Sequence, residues 1–479
     1  MIKIRCHHYL ANMKRVLLTV HKFFPQHKAG TEVLTLKVAQ ELKRRGYETL
    51  VVTGNPPDLD ARYKSGPETS QYDYEGINVK VVEEPLRLKN NRFSNEFYNP
   101  AVRSYFASVL TEFAPDLVHI FHAQNLSSSI IDESVARGLP VMISATDFWF
   151  ICPVVQLKRP DGSICRGPAP LAANCLTCYT PALFPPVAEF QAAIERKFPT
   201  VSGLTHAPEL LSGIAIDAAY TAYKATKMPA AVSATMARPA VLRTAANHAS
   251  AITVPTSLMR DLFIENGINP KLIHHVPFGI DTGPLEAFQT KSQSDVMRIG
   301  FIGTLYEHKG VDILIRAFLD LPQDAKARLK IFGDSQQFPD YAAGLKKLAA
   351  NGSANSSKIS FEGTFPNTEL GRVLSNLDVL VVPSRWYENT PLVIQSSLAT
   401  KTPVIATNLG GMSELIKHDI NGLLFKLNDS DSLRDQLLRL VREPDLVKKL
   451  IANIQRERTT EEMVDQLESI YAQVFSTGK

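Results

Sequence analysis

Residues 15–53, RVLLTVHKFFPQHKAGTEVLTLKVAQELKRRGYETLVVT, carry the pattern that decides the fold. Two short apolar runs, at 15–20 and 49–53, enclose a loop through Gly30 and a stretch of apolar residues at helical spacing that closes at Gly46. A strand, a helix and a second strand in this order predict a βαβ unit, and such units build parallel sheets. The sequence therefore predicts an α/β fold.

The same alternation extends in two series along the rest of the chain. The first series adds apolar runs at 116–121, 140–144 and 251–255, and the last run leads into a helix with Thr256 and Ser257 as candidate caps. The second series consists of the runs 298–302, 329–332, 359–361, 379–382 and 403–406. Two doubly wound α/β domains are therefore predicted.

The domain boundaries follow from where the two series begin and end. The first domain is predicted to span 1–283, with residues 1–13 as a candidate extension, and the second domain to span 284–458. Residues 152–250 fit neither series, so we interpret them as a mostly helical, cysteine-containing insertion in the first domain. The last helix, 459–479, is expected to return to the first domain.

Composition and charge exclude several classes of protein. An apolar fraction of 44% and a charged fraction of 21% are typical of a globular chain, not of a fibrous or wholly disordered one. With 52 basic and 48 acidic residues the net charge is only +4, which disfavours a nucleic-acid binder. No apolar run approaches the ~18 residues that cross a bilayer, and no secretory signal is recognisable, so a cytoplasmic protein is expected.

The strongest candidate site is the stretch 383–394, PSRWYENTPLVI. A buried strand ends at Val382, and Pro391 suits the first position of a helix. The start of that helix would offer free N–H groups to an anion, those of Thr390, Leu392 and Val393. Glu388 stands just before them, at the carboxyl edge of the sheet where α/β ligands collect. The alternative interpretation is a plain strand–loop–helix turn capped by Asn389.

An ordered set of short motifs resembles the retaining, nucleotide-sugar-dependent glycosyltransferases of family 4. The motifs are Gly30–Glu32, Asp116–His122, Thr146–Pro153, Pro277–Asp281, Gly300–Gly303, His308–Gly310, Trp386–Pro391 and Asn408–Glu414. The resemblance implies the GT-B fold, in which two Rossmann-like domains face each other across a cleft. It also implies transfer of a hexose from a nucleoside-diphosphate sugar to a carbohydrate or lipid-linked acceptor, in polysaccharide or glycoconjugate biosynthesis.

The resemblance assigns roles to individual residues. Lys309 resembles the family's diphosphate-contacting lysine, Glu388 the glutamate that hydrogen-bonds the transferred sugar, and His122 the histidine near the reacting bond. A further set is assigned to the donor and its diphosphate: Gly30, Thr31, Thr304, Asn389, Thr390, Leu392, Val393 and Ser396. Fixed positive charge and oriented N–H groups can stabilise a departing diphosphate, so no catalytic cofactor is expected.

Simpler interpretations stand beside these roles. Lys309 could be a solvated surface lysine, Gly30 a turn residue and His122 a satisfied core histidine. His119, inside the predicted strand, is interpreted as structural.

Three positions depart from the family pattern. Ser396 stands where the family has a second glutamate that holds the ribose, Thr304 where it has an arginine, and Thr146 where it has a histidine. A non-catalytic protein that binds sugar nucleotides is therefore the rival hypothesis. A Rossmann oxidoreductase is disfavoured, because no G-x-G-x-x-G follows the first strand.

Four of the five cysteines follow the spacing C-x12-C-x9-C-x2-C, at Cys152, Cys165, Cys175 and Cys178. Four thiolates could form a structural zinc site. Inert buried thiols are an equal alternative, because only one tight CxxC pair is present.

Basic residues concentrate near the start of the first domain, at Lys14, Arg15, Lys22, Lys28, Lys43, Arg44 and Arg45. They predict peripheral contact with anionic lipid at the inner face of the membrane. A solvated face balanced by acidic residues elsewhere is the alternative.

Overall fold

The computed structural model describes residues 14–55, 68–83, 93–180 and 209–477, together with the isolated positions 184, 187 and 190. The candidate extension at 1–13 lies outside the described residues. Among those described, the strands form two sheets, one in each half of the chain.

The first sheet has eight strands in the order β3-β4-β2-β1-β5-β6-β7-β8. In chain order the strands are β1 (Arg15–Val20), β2 (Glu48–Asn55), β3 (Glu68–Tyr74), β4 (Ile77–Glu83), β5 (Leu117–Ile120), β6 (Val141–Ser144), β7 (Ala251–Val254) and β8 (Ile273–His275). All neighbours pair in parallel except β3 and β4. The predicted βαβ unit is confirmed, with Arg15 in register with Glu48.

The second sheet has six parallel strands in the order β11-β10-β9-β12-β13-β14. They are β9 (Met297–Ile302), β10 (Ala327–Phe332), β11 (Ile359–Gly363), β12 (Val379–Val382), β13 (Val404–Thr407) and β14 (Gly422–Phe425). Strands β12 and β13 are buried throughout, as their continuous apolar runs predict for strands covered on both faces.

Helices cover both sheets. In the first half they are Gly30–Arg44, Pro100–Phe113, Ser129–Ala136, Cys175–Cys178, Glu209–Asn247 and Ser257–Glu265. In the second half they are Gly283–Glu286, Val311–Leu319, Pro339–Ala349, Leu370–Ser375, Leu392–Ala399, Gly411–Leu415, Ser430–Arg442, Pro444–Asn453 and Thr460–Thr477. Thr256 caps the helix that follows β7, as predicted, by accepting a hydrogen bond from the Met259 N–H at 3.2 Å.

The strand order reverses once in each sheet. In the first sheet β1 lies between β2 and β5, and in the second sheet β9 lies between β10 and β12. At such a point the loops leave the carboxyl ends of adjacent strands in opposite directions and open a crevice in which ligands bind. The loops after β1, β5, β9 and β12 are therefore the four segments where a site is expected.

The last helix, Thr460–Thr477, packs against the first half of the chain. Its buried residues, including Val464 and Leu467, join the core formed by β1, β2 and the helix Gly30–Arg44. The chain thus crosses between the halves twice, and the two crossings pair with each other. The Ile280 N–H donates to the Arg458 carbonyl at 3.0 Å, and the Thr460 N–H donates to the Ile280 carbonyl at 3.0 Å. The boundaries 283/284 and 458/459 themselves stay a prediction.

The interpretation of 152–250 as an insertion stays a prediction, but its C-terminal part also has a place in the first sheet's connections. The helix Glu209–Asn247 leads directly into β7, which pairs in parallel with β6, so its end is the crossover that the sheet requires. Leu242, Ala245 and Ala246 are buried in the core of the first half.

Membrane spanning is not supported by the helices. Within the described ranges, no helix is both long enough and apolar enough to cross a bilayer.

Candidate active site

The centre of the candidate site is an ion pair between the loops that follow β9 and β12. Lys309 Nζ lies 2.7 Å from Glu388 Oε1. Two more donors reach the same carboxylate oxygen, the Ser384 hydroxyl at 2.8 Å and the Trp386 indole N–H at 2.8 Å. The structure therefore joins two residues that the sequence assigned to different parts of the donor.

The environment keeps Glu388 ionised. Burial by itself would raise the pKa of this carboxyl, but the Lys309 charge and the hydrogen bonds from Lys309, Ser384 and Trp386 outweigh it, so the pKa is lowered. Because all three donors converge on Oε1, the carboxylate is held in one orientation.

The turn that carries Lys309 depends on a glycine. Gly310 has a φ of 68°, and a Cβ placed there would lie 2.0 Å from the Pro383 carbonyl oxygen. Arg385 ties the two loops together, because its N–H donates to the His308 carbonyl at 2.7 Å and its guanidinium pairs with Asp312 at 2.9 and 2.7 Å. These contacts fix Lys309 opposite Glu388.

A second glycine, Gly411, lets another segment pack closely against the loop that carries Glu388. The Gly411 N–H donates to the Glu388 carbonyl at 2.9 Å. A Cβ on Gly411 would lie 1.4 Å from the Asn389 carbonyl oxygen. At Gly411 the motif Asn408–Glu414 therefore contacts the loop of Glu388 through its backbone. The two segments are too close there for any side chain to fit between them.

The helix after Glu388 begins one residue later than predicted. Pro391 is the N-cap, in an extended conformation, and the helix spans Leu392–Ala399. Asn389 does not cap it, because its side-chain N–H donates to the Thr146 carbonyl of the first half at 2.7 Å. Thr390 is buried beside Asn389, whereas Leu392 and Val393 are half-buried at the helix start. Asn389 is thus a contact across the cleft.

Gly30 faces this helix from the other side of the cleft. It is the first residue of the helix Gly30–Arg44, followed by Thr31, and not part of a free loop. A Cβ on Gly30 would lie 3.8 Å from the Leu392 side chain. The starts of two helices, with their free N–H groups, therefore meet at one place, which is the arrangement that attracts an anion.

His122 follows β5 and has a defined tautomer. The Gln124 N–H donates to His122 Nδ1 at 2.9 Å, so Nδ1 is the acceptor and Nε2 carries the hydrogen. Nε2 donates to Asp147 Oδ2 at 2.6 Å. Asp147 was not predicted, although its place in the motif Thr146–Pro153 is a signal that could have found it.

His21 and Glu32 are further residues that the sequence analysis missed. His21 directly follows β1, and its ring centroid lies 4.3 Å from that of His122. Its Nε2 lies 3.5 Å from Glu32 Oε1. Burial lowers the pKa of His21 and raises the pKa of Glu32, so both move toward the neutral form. The position of His21 at the end of a central strand was the available signal.

Several buried polar atoms near the cleft lack a hydrogen-bond partner within the described part of the chain. They are His21 Nδ1, Glu32 Oε2, His308 Nδ1 and Asn389 Oδ1. An unsatisfied buried polar group costs about 1–3 kcal/mol, so such groups call for a functional explanation. They lie on the loops after β1, β9 and β12 and in the first turn of the helix Gly30–Arg44, which matches a site built to meet a polar ligand.

The three residues that depart from the family pattern, Thr304, Ser396 and Thr146, lie in different surroundings. Thr304 follows β9 and is half-buried, and its carbonyl accepts a hydrogen bond from the Tyr306 N–H at 3.0 Å. Ser396 is buried in the helix Leu392–Ala399. The Thr146 hydroxyl donates to the Phe121 carbonyl at 3.2 Å. Neither Thr304 nor Ser396 brings a charge to the site.

His119 has the structural role that its position predicts. It is fully buried, with Nδ1 2.6 Å from the Tyr471 hydroxyl and Nε2 2.7 Å from the Ser144 hydroxyl. Burial lowers the pKa of His119 to about 3. This neutral histidine ties the last helix to the first sheet.

The basic residues do not share one face. Lys22 and Lys28 precede the helix Gly30–Arg44, whereas Arg44 and Arg45 end it, about 20 Å away at 1.5 Å per residue. Arg45 pairs with Glu41 at 2.6 Å and with Asp465 at 2.7 Å, and Arg44 also pairs with Glu41 at 2.7 Å. Much of this positive charge is therefore already matched.

The family comparison matches the second half of the chain. Residues 284–457 fit the family model for Glycosyl transferases group 1. An uncharacterized glycosyltransferase of Methanocaldococcus jannaschii is 32% identical over 175 residues, which cover 36% of this chain and 42% of that protein. N-acetyl-alpha-D-glucosaminyl L-malate synthase of Bacillus anthracis is 25% identical over 175 residues, which cover 36% and 44%. The chain spans less than half the length of these relatives.

Solved structures resemble the whole chain. The Anabaena protein HepE, in complex with UDP and glucose, superposes with a TM-score of 0.56 at 16% identity, over 97% of this chain and 99% of that one. Sucrose-phosphate synthase of Thermosynechococcus elongatus superposes with a TM-score of 0.62 at 16% identity, over 97% and 100%. The class that the fold defines is therefore GT-B, with two parallel-sheet α/β domains. Within it, residues 284–457 match the family model for Glycosyl transferases group 1.

Proposed function

We propose that the protein is a retaining glycosyltransferase that moves a hexose from a nucleoside-diphosphate sugar to an alcohol of a carbohydrate or lipid-linked acceptor. Biosynthesis of a polysaccharide or glycoconjugate is the setting that such an acceptor implies. The family match of the second half and the GT-B fold support the reaction class.

One observation carries the proposal: the Lys309–Glu388 pair lies on loops that end two adjacent strands, beside the facing starts of two helices. Lys309 supplies a fixed positive charge, and the helix starts at Gly30 and Leu392 supply oriented N–H groups. Together they provide what a departing diphosphate needs without a metal ion. HepE binds UDP and glucose in its crystal structure, which supports a sugar nucleotide as donor.

Glu388 is the residue proposed to hold the sugar. Its Oε1 is occupied by three donors, so Oε2 is the oxygen proposed to accept a sugar hydroxyl. His122, with its proton held on Nε2 by the Gln124 contact, is proposed to line the sugar side of the same cleft. Retention is inferred from the family resemblance, with the departing phosphate oxygen taking the acceptor's proton.

The departures at Ser396 and Thr304 bear on donor affinity. Ser396 offers the ribose one hydroxyl where a carboxylate would hold two hydroxyl groups, and Thr304 brings no charge to the diphosphate. Lys309 is therefore proposed to carry a larger share of the diphosphate charge.

The experiment is a donor screen followed by product analysis. Thermal unfolding is measured with UDP-, GDP- and ADP-glucose, because a ligand that binds the folded state raises the melting temperature. The donor that stabilises is then incubated with lipid-linked and free sugar acceptors, and NMR of the product reports the anomeric configuration. Stabilisation with turnover and retention is the expected result, and inversion would contradict the proposal.

The rival hypothesis is a protein that binds sugar nucleotides without using them, which the neutral residues at Ser396 and Thr304 favour. It predicts the same thermal shift without consumption of donor. If the stabilising donor stays intact with every acceptor class, the enzyme proposal is wrong and this one replaces it.

We propose that the protein contacts anionic membranes through basic residues near the cleft. Lys28 is exposed and Lys22 half-exposed, and both lie between β1 and the helix Gly30–Arg44. Each charge near an anionic surface contributes about 1 kcal/mol. Sedimentation with anionic but not neutral vesicles, lost at high salt and in a Lys22→Ser/Lys28→Ser variant, is the expected result. Equal sedimentation with both vesicle types would contradict it.

A further inference from the structure

The four clustered cysteines line one small cavity beside the cleft. Cys152, Cys165, Cys175 and Cys178 all border a space of about 20 Å³. All four are free thiols, and Cys152 and Cys175 are buried. The first and last of these cysteines are 26 positions apart in the chain, yet all four border the same cavity. Their spacing in the sequence alone would not bring them together.

Polar contacts hold two of the sulfur atoms beside the cavity. The Gly167 N–H lies 3.4 Å from Cys165 Sγ, and the Asn174 side-chain N–H lies 3.5 Å from the same atom. The Cys165 S–H faces the Gly167 carbonyl at 3.3 Å, and the Cys175 S–H faces Asn174 Oδ1 at 3.6 Å. These contacts keep Cys165 and Cys175 at the same place in the loop.

Positive charge lies next to the cavity. The Lys158 side chain borders it. The buried guanidinium of Arg238 interacts electrostatically with Cys152 and Cys175, while it also pairs with Glu96 at 2.8 Å. A divalent cation held by four thiolates has a net charge of about −2, and neighbouring cations offset that charge.

The same loop has a strained backbone. Four residues other than glycine have positive φ angles, namely Val155 (59°), Leu157 (49°), Leu171 (54°) and Ala172 (54°). Such angles are costly for side chains of this kind, especially for a β-branched valine, and persist only where other contacts hold the chain. Turn-forming segments such as Pro160–Gly162 and Gly167–Pro170 bury little apolar surface, so packing alone does little to hold these residues in place. A cross-link between the cysteines would hold them.

We propose that Cys152, Cys165, Cys175 and Cys178 bind one zinc ion as a structural site. Four soft ligands complete a tetrahedral shell and leave no position for water, so the ion orders the loop and takes no part in chemistry. On binding, the four thiols release four protons to solvent and become thiolates. In the side-chain orientations of the described residues no group is arranged to hold a metal ion, so binding includes rotation of the thiols toward the cavity.

A cation at the centre of the cavity favours the charged form of every thiol that ligates it, so binding of the metal and formation of the thiolates occur together.

The site would brace the edge of the cleft. Lys158, within the cysteine loop, donates to Glu307 of the second half at 2.5 Å, two residues before Lys309. Phe148, which precedes the loop, has its ring centroid 6.1 Å from that of Tyr387, which precedes Glu388. The zinc ion therefore fixes a segment that reaches across to both loops of the candidate site.

The test uses the full chain purified without added metal. Elemental analysis should give about one zinc per chain, and titration of the native protein with a mercurial reagent should release it as the fourth thiol reacts. Substitution with Co²⁺ should give the absorption of a tetrahedral tetrathiolate site. Metal-free protein with four freely reactive thiols under reducing conditions would overturn the proposal, as would iron with the absorption of an iron–sulfur cluster.

Variants separate the site from general effects of cysteine loss. Cys175→Ser/Cys178→Ser should lose the zinc and become sensitive to protease within 152–180, while the second half stays resistant. Cys6→Ser, which changes the fifth cysteine, is the matched control and should keep one zinc per chain. Zinc retained in full by the double variant would refute the ligand set even if the wild type contains metal.

Discussion

The ion pair at the centre of the site makes Lys309 and Glu388 dependent on each other. Glu388 is buried, and Lys309 is the only group with a full positive charge among the donors to its carboxylate. Removing either side chain therefore disturbs its partner as well as any contact with substrate. A substitution here has to be chosen so that these two effects can be separated.

Glu388→Gln is the first prediction. The amide keeps the shape of the side chain but removes the charge that neutralises Lys309, so binding of UDP alone should be retained or tightened. Turnover should fall by roughly 10- to 150-fold, the equivalent of a lost charge-assisted hydrogen bond of about 1.5–3 kcal/mol. Calorimetry with UDP and a donor-turnover assay measure the two effects. If Glu388→Gln turns over the donor at the wild-type rate, Glu388 does not hold the transferred sugar.

Lys309→Met gives a prediction about pH. In the wild type the pKa of Glu388 is lowered below 4.5, so its contribution to stability is present above that pH and is lost as the pH falls through the folded-state pKa. Without Lys309, burial dominates and raises the pKa. The variant should then lose stability as the pH rises above about 4.5, which is the opposite slope.

Urea unfolding at pH 5, 6.5 and 8 measures this difference. The gap in unfolding free energy between wild type and Lys309→Met should widen as the pH rises. The double variant Lys309→Met/Glu388→Gln has no ionisable partner at this place and should show a constant gap. A gap that is independent of pH in the single variant as well would mean that Lys309 does not set the ionisation of Glu388.

At the scale of single elements, the facing starts of two helices decide where a phosphate can lie. Gly30 begins one helix and lies against Leu392, which begins the other. Each start carries a partial positive charge of about half a unit, and these charges add where the helices meet. The elements thus contribute to the site through their backbone ends, independently of any side chain.

Gly30→Ala tests this arrangement. The new methyl group would meet Leu392 at 3.8 Å, an ordinary contact, and the backbone at Gly30 is not in the left-handed region, so the melting temperature should stay within about 1–2 °C of the wild type. Donor affinity should fall several-fold, because the methyl group keeps a phosphate away from the backbone. Gly344→Ala, where a Cβ meets nothing within 4 Å, is the control and should bind normally. Normal donor binding by Gly30→Ala would remove Gly30 from the site.

Sequence reasoning found the central strands of both sheets, but it missed the hairpin at one edge of the first sheet and the short strand at the other edge. The strands β12 and β13 are buried throughout because both faces are covered, so their composition alone identifies them. The edge hairpin β3–β4 was missed, because β3 reads ETSQYDY and is mostly polar. Likewise β8 has only three residues, too few for any period to show.

The same physical limit applies to the site. The strand–loop–helix pattern pointed to Glu388 and the family resemblance pointed to Lys309, but neither predicted that the two side chains pair with each other. That contact depends on the left-handed turn at Gly310, which sets the direction of the Lys309 side chain. His122 was predicted without Asp147, because partners that lie on separate loops leave no pattern in the chain.

At the scale of the whole molecule, the last helix holds the first half together. The hydroxyl of Tyr471 reaches the buried ring of His119, and Ser144 binds the other nitrogen of that ring. Since the ring is fully buried and neutral, water cannot replace a lost partner. The stability of the first sheet therefore depends on a helix that comes after the entire second half of the chain.

Tyr471→Phe should lower the free energy of unfolding by about 1–3 kcal/mol, because it leaves His119 Nδ1 buried without a partner. Chemical denaturation measures the change. Tyr306→Phe, on a ring that is 38% exposed, is the control and should change stability by less than about 0.5 kcal/mol. Equal effects of the two substitutions would show that the hydrogen bond to His119 contributes nothing.

The paired crossings between the halves have a consequence for how the molecule can be rearranged. Ile280 and Thr459 are bridged side by side, and Gly279 lies so close to this pair that a Cβ would approach the Thr459 carbonyl to 2.1 Å. The chain therefore enters and leaves the second half at the same place, so the two ends of this segment lie side by side. A segment with adjoining ends can be excised, exchanged for a homologous one or circularly permuted without stretching the chain. The geometry of the junction makes the second half a transferable module, while the first half and the last helix can stay joined without it.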